Sequence, residues 1–393
     1  MPPLKVLVAH NDYQQAGGET AAVEAEVALL RSRGHAVVYY ARENAEIAHF
    51  SAATKAASVL AAVYSRKTYR ELRELVERER PDVAHVHNVF PLLSPSAYRA
   101  LSDAGVPIVQ GVHNYRFMCP NGLFYTHGEI CERCIGGNTI HAVRLRCYRD
   151  SYAQSALYAV AVGLHRHAGT FGLIGRFVVP GSFTGEKLVE SGIAPAERIS
   201  ILDYFLPELP APGSFSERPP HVAFLGRLSD EKGLWTLLAA MRDVPELGLK
   251  IFGTGPLNEP IRRYLAREGV RNVEMFGFVS GEAKWEALRS ALAVVVPSHW
   301  YDVSPLTVME SLAAGTAVIA PRHGNFPHTI ADSRTGLLFR PQDSSHLRDK
   351  LAWLVEEPER ALALGGEARR VAESRYNAST HYDRLLEIYG TLA

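Results

Sequence analysis

The sequence predicts an α/β protein of two Rossmann-like, doubly wound lobes with a cleft between them. Three observations carry this. Short apolar runs alternate with segments of helical period along the chain. The alternation breaks once, between Pro207 and Pro220, where Pro207, Pro210, Pro212, Gly213, Pro219 and Pro220 crowd together. It then restarts. Alternating strands and helices build parallel sheets covered on both faces, whereas a Pro-rich stretch holds neither a helix nor a central strand.

In the first lobe, Lys5–His10, Ala36–Tyr40, Asp82–His87 and Pro107–Val112 read as buried strands. Gly18–Arg33, Thr54–Arg80 and Ser94–Ala104 read as helices, the second stopped by Pro81. A weaker unit follows, with a helix at Tyr152–Arg166, a strand at Phe177–Pro180, a helix at Ser182–Ser191 and a strand at Ile199–Leu202. The segment 115–149 between these parts shows little periodicity and reads as an insert.

After the break come strands Val222–Leu225, Leu249–Phe252, Val273–Phe276, Leu292–Pro297, Ala317–Ala320 and Gly336–Phe339. Helices Leu234–Arg242, Leu257–Glu268, Gly281–Ser290 and Leu306–Ala314 separate them. The expected domains are therefore 1–206, a linker over 207–220, and 221–378, with a last helix within 379–393. Ligands of such sheets bind beyond the C-terminal strand ends, so the loops there are the candidate site.

Composition narrows the function. Apolar residues make up 47% and charged residues 21%, the balance of a globular enzyme. Forty-two Lys and Arg against 42 Asp and Glu exclude a general polyanion binder but leave room for a local phosphate site. The apolar stretch Val6–Ala9 is too short for a signal peptide. Ala153–Leu164, broken by Gln154 and Ser155, falls short of the roughly 18 apolar residues a span requires. A cytoplasmic location follows as the expectation, with membrane contact limited to docking at the inner face.

Two runs carry the chemistry. In Pro297-Ser298-His299-Trp300-Tyr301-Asp302-Val303-Ser304-Pro305-Leu306-Thr307-Val308-Met309-Glu310, a strand ends, a loop carries an acid, and a helix opens near Pro305 with a second acid inside it. The unpaired N–H groups of a helix start at Pro305, Leu306 and Thr307 suit an anionic ligand. A carboxylate one or two turns in can accept hydrogen bonds from sugar hydroxyls. In Gly226-Arg227-Leu228-Ser229-Asp230-Glu231-Lys232-Gly233, two cations share one loop. A guanidinium grips phosphate through two parallel bonds, and an ammonium acts as a mobile point charge. Read alone, each run also fits an ordinary capped helix or a charged turn.

Together the runs resemble the retaining glycosyltransferases of family four, whose fold is the two-Rossmann GT-B type. Further matches are Gly17-Gly18, Asp82 to Asn88, His113-Asn114, Gly253-Thr254-Gly255-Pro256, Phe276-Gly277-Phe278-Val279 and Thr335 to Phe339. The resemblance implies a nucleotide-diphosphate sugar as donor and a saccharide, lipid-linked or small-molecule acceptor, with no catalytic metal. It implies that Arg227 and Lys232 hold the diphosphate, Glu310 the ribose and Asp302 the donor sugar. Gly277-Phe278 would contact the base, Gly17-Gly18 would approach the phosphates, and His113 would reach the transferred sugar. Asp302 stands where Glu is usual, and His323 to His328 replaces a common Gly-Gly-x-Pro-Glu. The last helix would cross back onto the first lobe. A nucleotide-sugar epimerase or a non-catalytic nucleotide-sugar-binding partner are the alternatives. His85, His87 and His113 read as core or pocket-wall histidines rather than metal ligands.

All four cysteines, Cys119, Cys131, Cys134 and Cys147, fall in the insert. Four thiolates complement one tetrahedral zinc; an iron–sulfur cluster, disulfides or unliganded thiols are the other readings. Between Glu132 and Lys187 the charge is a net +4, which beside the apolar helix fits either docking on an anionic membrane or a buried helix with a solvated flank.

Overall fold

A computed structural model describes residues 2–12, 18–43, 61–213 and 218–392. It divides into two compact units. The first comprises Met1–Thr126, Cys131–Pro207 and Ala378–Ala393, and the second His127–Ile130 and Glu208–Asn377.

The first unit is wound from β1 (Lys5–Asp12), α1 (Gly18–Ser32), β2 (Ala36–Glu43), α2 (Arg66–Glu79), β3 (Val83–Val86), α3 (Ser96–Asp103) and β4 (Ile108–Gly111). Then come the short strands β5 (Tyr125–Thr126) and β6 (Glu129–Ile130), α4 (Ile140–Arg144), α5 (Tyr152–His167), β7 (Arg176–Val179), α6 (Ser182–Glu190) and β8 (Ile199–Ile201). Six strands form one parallel sheet in the order β2-β1-β3-β4-β7-β8. Their apolar runs are buried on both faces, as a helix-covered parallel sheet demands: Val6, Leu7, Val8 and Val109 have no exposed surface.

One helix expected from the sequence is interrupted. Residues 61–63 are helical, then the chain breaks at Tyr64-Ser65 and α2 starts afresh. Ser65 stops continuation because its hydroxyl accepts from the Thr68 N–H at 3.1 Å, an N-cap bond that requires an extended backbone at Ser65. The part of that expectation over 54–60 lies outside the described residues, as does Gly17.

The second unit runs β9 (His221–Leu225), α7 (Leu234–Met241), β10 (Gly248–Phe252), α8 (Asn258–Glu268), β11 (Val273–Gly277), α9 (Gly281–Ser290), β12 (Ala293–Val295), α10 (Leu306–Ala313), β13 (Ala317–Pro321), α11 (Phe326–Thr329), β14 (Gly336–Phe339), α12 (Ser344–Glu356) and α13 (Pro358–Arg375). Its sheet is also six-stranded and parallel, in the order β11-β10-β9-β12-β13-β14. That is the Rossmann order, with the strand sequence reversing between β9 and β12. A core from Val222, Phe224, Leu237, Ile251, Val295 and Leu351 lies beside the sheet.

The Pro-rich stretch is not a free linker. Arg218 is buried and donates to Ala291 O, Gly315 O and Thr316 Oγ1 at 2.7 to 2.9 Å. Desolvation lowers its guanidinium pKa to about 10. The Gly213 N–H donates to Ala314 O at 2.9 Å. These bonds tie Gly213 and Arg218 into the second unit. The last helix, α14 (Ala378–Gly390), belongs to the first unit, where Leu385, Ile388 and Tyr389 join Val6, Val8 and Val109 in one core.

Candidate active site

In the second unit the topology brings the two chemistry-bearing runs together. The loops after β9 and β12 flank the strand-order reversal, where an open α/β sheet forms its ligand crevice. The His299 N–H donates to Glu231 O at 2.8 Å, tying one loop to the other. Close backbone approach makes glycine necessary here. A Cβ on Gly233, which sits at φ +69°, would collide with the Pro297 carbonyl. A Cβ on Gly253 would strike the carbonyl of Gly226. The loops after β9, β10 and β12 therefore form a single layer above the sheet.

On that layer Lys232 Nζ lies 2.7 Å from Asp302 Oδ2 and 5.1 Å from the centre of the Trp300 ring. Arg227 stands exposed on the same loop. Helix α10 opens beside them: Pro305 precedes Leu306 and Thr307 without a side-chain cap, and Thr307 Oγ1 donates to Leu225 O at 3.3 Å. The first-turn N–H groups and the positive end of the helix dipole thus meet the switch point. Glu310, one turn inside α10, pairs with Lys284 of α9 at 2.6 Å. Phe278, just past β11, leaves 74% of its surface exposed.

The loop from His323 to His328 completes the wall. His323 Nε2 lies 3.0 Å from Ser298 O, and its ring sits edge-on to Tyr301. Asn325 Nδ2 donates to Val303 O at 2.8 Å. Desolvation lowers the pKa of His323 to about 4, against the Ser298 carbonyl that favours its charged form. Burial also lowers His299. Both imidazoles are neutral near pH 7, so cations at this site come from Arg227, Lys232 and Lys284.

The first unit holds a second polar cluster. His87 Nδ1 lies 2.9 Å from His113 Nε2, whose other nitrogen makes a short hydrogen bond with Tyr204 Oη. Glu26 of α1 pairs with His85 at 2.8 Å and with His381 of α14 at 3.3 Å. Burial alone would raise the Glu26 pKa; the charge of His85 and hydrogen bonds from His381 and His85 outweigh it and hold the carboxyl well below its usual range. Desolvation lowers His113 to about 3 and also lowers His87. Among the described residues Glu26, His85 and His87 are the one set of three metal-ligand types whose ligand atoms lie within 4.8 Å of one another. His85 Nδ1 also lies 2.9 Å from Tyr389 Oη and His381 Nε2 3.3 Å from Glu26 Oε2, while His85 Nε2 and His87 Nε2 are buried without a hydrogen-bond partner.

The structure thus joins Arg227, Lys232, Asp302, Pro305, Leu306 and Thr307 at one switch point, with Glu310 one turn inside the same helix. His113, Gly18 and the four cysteines belong to the first unit. Sequence reasoning marked the His323–His328 loop only as a departure from the family pattern, and missed Lys284, Trp300, Glu26, Tyr204 and His381. Trp300 lay inside a quoted run, but nothing in spacing marks the others.

With this geometry in place, comparison with known proteins places both halves. Residues 17–204 match the family described as glycosyl transferase 4-like domain, and residues 207–371 match glycosyl transferases group 1. Each half of the chain matches a glycosyltransferase family model, and the fold is of the GT-B type. The group 1 match contains the whole switch-point layer, and the 4-like match contains the histidine cluster up to Tyr204.

Among curated relatives, the sulfoquinovosyl transferase SQD2 of Arabidopsis thaliana is 26% identical over 241 residues, covering 58% of this chain and 45% of that protein. A phosphatidyl-myo-inositol mannosyltransferase of Mycobacterium leprae is 32% identical over 180 residues, covering 44% of this chain and 46% of its own length. The chain spans less than half the length of these relatives. Solved structures share the fold over the full length. Sucrose-phosphate synthase of Thermosynechococcus elongatus superposes with TM-score 0.72 at 17% identity, covering 99% of each chain. HepE of Anabaena, solved with UDP and glucose, gives 0.68 at 14% identity, covering 99% of this chain and 100% of that one.

Proposed function

We propose that the chain is a retaining glycosyltransferase of hexosyl type. The second unit binds a nucleoside-diphosphate sugar and the first unit the acceptor. One observation carries the reading: an Arg–Lys loop, a carboxylate loop and an uncapped helix start lie together at the switch point of the second sheet. That combination suits a diphosphate joined to a sugar.

Arg227, Lys232 and the first-turn N–H groups of α10 receive the diphosphate and stabilise the charge it gains as the glycosidic bond breaks, a large catalytic term at such sites. Lys232 exchanges Asp302 for phosphate, which frees Asp302 to accept from a donor-sugar hydroxyl. Glu310 accepts from the ribose, displacing Lys284. Phe278 offers its exposed face to the base, with Gly277 allowing the backbone close approach. Gly17 and Gly18 are assigned to the phosphates and His113 to the transferred sugar. The acceptor hydroxyl oxygen bonds to the anomeric carbon on the face the diphosphate leaves, and a departing phosphate oxygen takes the acceptor's proton. This route needs no protein acid–base pair, and two cations on the diphosphate make a catalytic metal unnecessary.

UDP in the HepE structure supports a nucleotide donor. A phosphatidyl-myo-inositol mannosyltransferase among the relatives supports a lipid-linked or saccharide acceptor. Among the described residues no helix is long and apolar enough to cross a membrane. Tyr152, Val160 and Leu164 of α5 are exposed in steps of four or eight residues, with Arg144, Arg146 and Arg149 exposed nearby. This face suits peripheral docking on an anionic inner leaflet; sedimentation with vesicles that shows no dependence on anionic lipid removes the docking element.

Incubation with radiolabelled UDP-, GDP- and ADP-sugars tests the core reading. Slow hydrolysis or transfer with the anomeric configuration kept, read by NMR, supports it. Inverted products overturn retention, altered sugar stereochemistry indicates an epimerase, and tight binding without turnover indicates a non-catalytic partner.

A further inference from the structure

Beyond donor chemistry, the insert between β4 and α5 carries a constellation of its own. We infer that Cys119, Cys131, Cys134 and Cys147 form a structural zinc site in the first unit. All four are free thiols, and all four line one cavity of about 10 Å³ together with Asn121, Tyr125, Thr126, His141, Ala142 and Leu145. That volume holds about one water-sized guest.

The backbone holds the cysteines in short turns. The Gly122 N–H donates to Cys119 O at 2.8 Å and the Gly137 N–H to Cys134 O at 2.9 Å, so each of these cysteines opens a tight turn. The Cys131 N–H donates to Phe124 O and the Cys147 N–H to Ala142 O, at 2.8 and 3.0 Å, so one cysteine is tied to the start of the β5–β6 turn and another to α4. Asn121 Nδ2 reaches Tyr125 O at 2.8 Å and Cys147 O at 3.4 Å.

The insert buries Tyr115, Met118 and Phe124 but has little regular structure. Its regular structure is two two-residue strands and the five-residue helix α4, pieces too short to persist alone. The sulfurs are spread wider than a closed site, since no set of them meets the 4.8 Å spacing that Glu26, His85 and His87 satisfy. The Cys119 thiol instead donates to Asn121 Oδ1 at 3.0 Å. Binding of one Zn²⁺ replaces the four thiol protons, which leave to solvent, and draws the sulfurs into a tetrahedron. Four protons lost, each carrying one positive charge, against the two positive charges of the metal leave a dianionic Zn(Cys)₄ centre. The site lies near the His113 loop: the Tyr115 N–H donates to Gly122 O, and the Cys119 N–H to Tyr115 O.

The intact chain, purified under reducing conditions without chelator after growth in zinc-supplemented medium, tests the inference by elemental analysis, zinc-edge X-ray absorption and mercurial titration. The expected result is about one zinc per chain, four sulfurs at about 2.3 Å, and full zinc release by four thiol equivalents. Substoichiometric zinc, iron in its place, disulfide bonds, or a nitrogen and oxygen shell overturns it. Cys131→Ser combined with Cys134→Ser should lose zinc, whereas Glu26→Gln should retain it; loss in the second variant instead places the metal at the histidine cluster. If the double cysteine variant does not fold, absorption and titration on the unaltered chain still decide. None of these readouts depends on glycosyl transfer, so failure here leaves the proposed activity standing, and the reverse.

Discussion

Lys232 Nζ sits 2.7 Å from Asp302 Oδ2. The cation assigned to the donor diphosphate and the carboxylate assigned to the donor sugar neutralise each other until a ligand separates them. Lys232→Ala should lower kcat by about 10²–10³-fold, the range seen when one preorganised donor of positive potential is removed. Asp302→Asn should act differently. It releases Lys232, so calorimetry should show a nucleoside diphosphate binding as tightly as before or more tightly, while turnover of the intact donor falls. A Lys232→Ala variant with unchanged kcat ends the assignment.

Glu310 and Lys284 form the second pair of the site, 2.6 Å apart. Glu310→Gln removes a charged acceptor for the ribose and should raise the donor KM about tenfold, ~1.4 kcal/mol. Lys284→Met frees the same carboxylate and should lower KM. A donor lacking both ribose hydroxyls distinguishes the roles: its KM should not respond to Glu310→Gln.

Phe278 projects from the end of β11 with 74% of its surface exposed. Phe278→Ala therefore leaves the core intact and should not move the thermal midpoint. It should weaken nucleotide binding by about 1–3 kcal/mol, the contribution typical of a base stacked on an aromatic ring. A nucleoside diphosphate and inorganic pyrophosphate, compared by calorimetry, make the check: only the nucleotide should be affected.

The histidine cluster sets an acid limit on the first unit. Burial lowers His10 to about 4 and His113 to about 3, and lowers His87 too. Unfolded histidines titrate near ~6.5, so between those values the unfolded chain binds protons the folded one does not, and stability falls with falling pH. Glu26, held low mainly against its own desolvation, adds the same sign at more acid pH. Urea melts should give constant stability above about pH 6.5 and progressive loss from there to pH 4. A profile flat between pH 7 and 5 contradicts the buried, neutral state of these rings.

The paired sheets were legible because buried parallel strands are continuous apolar runs, and the second unit's strands from Val222 to Phe339 stand out by that rule. The switch-point residues were legible through two contiguous runs. Other features depend on tertiary contact. The break at Ser65 is one serine choosing a cap over helical continuation, an outcome set by the Ser94 and Ser96 network it joins. Lys284 reaches Glu310 from a different helix, 26 positions earlier. His381 meets Glu26 across 355 positions. Helices α12 and α13 went unassigned, although Asp343 caps the first through the His346 N–H at 2.8 Å. The Pro-rich break read as a spacer because prolines mark turns regardless of what the turns are fastened to. Arg218 supplies that fastening, and its partners are backbone carbonyls invisible to sequence patterns.

The helix Ala378–Gly390 gives the first unit an unusual order of assembly. Leu385, Ile388 and Tyr389 fill a core begun by Val6 and Val8, so the apolar face of β1 must wait for residues made far later in the chain before it is closed. During synthesis the second unit, contiguous but for a short turn from the insert, can mature first, while the sheet of the first unit stays open until residues 378–392 have emerged. A fragment ending at Pro207 should for the same reason bind apolar dyes and aggregate, and adding the residue 378–392 peptide should restore it.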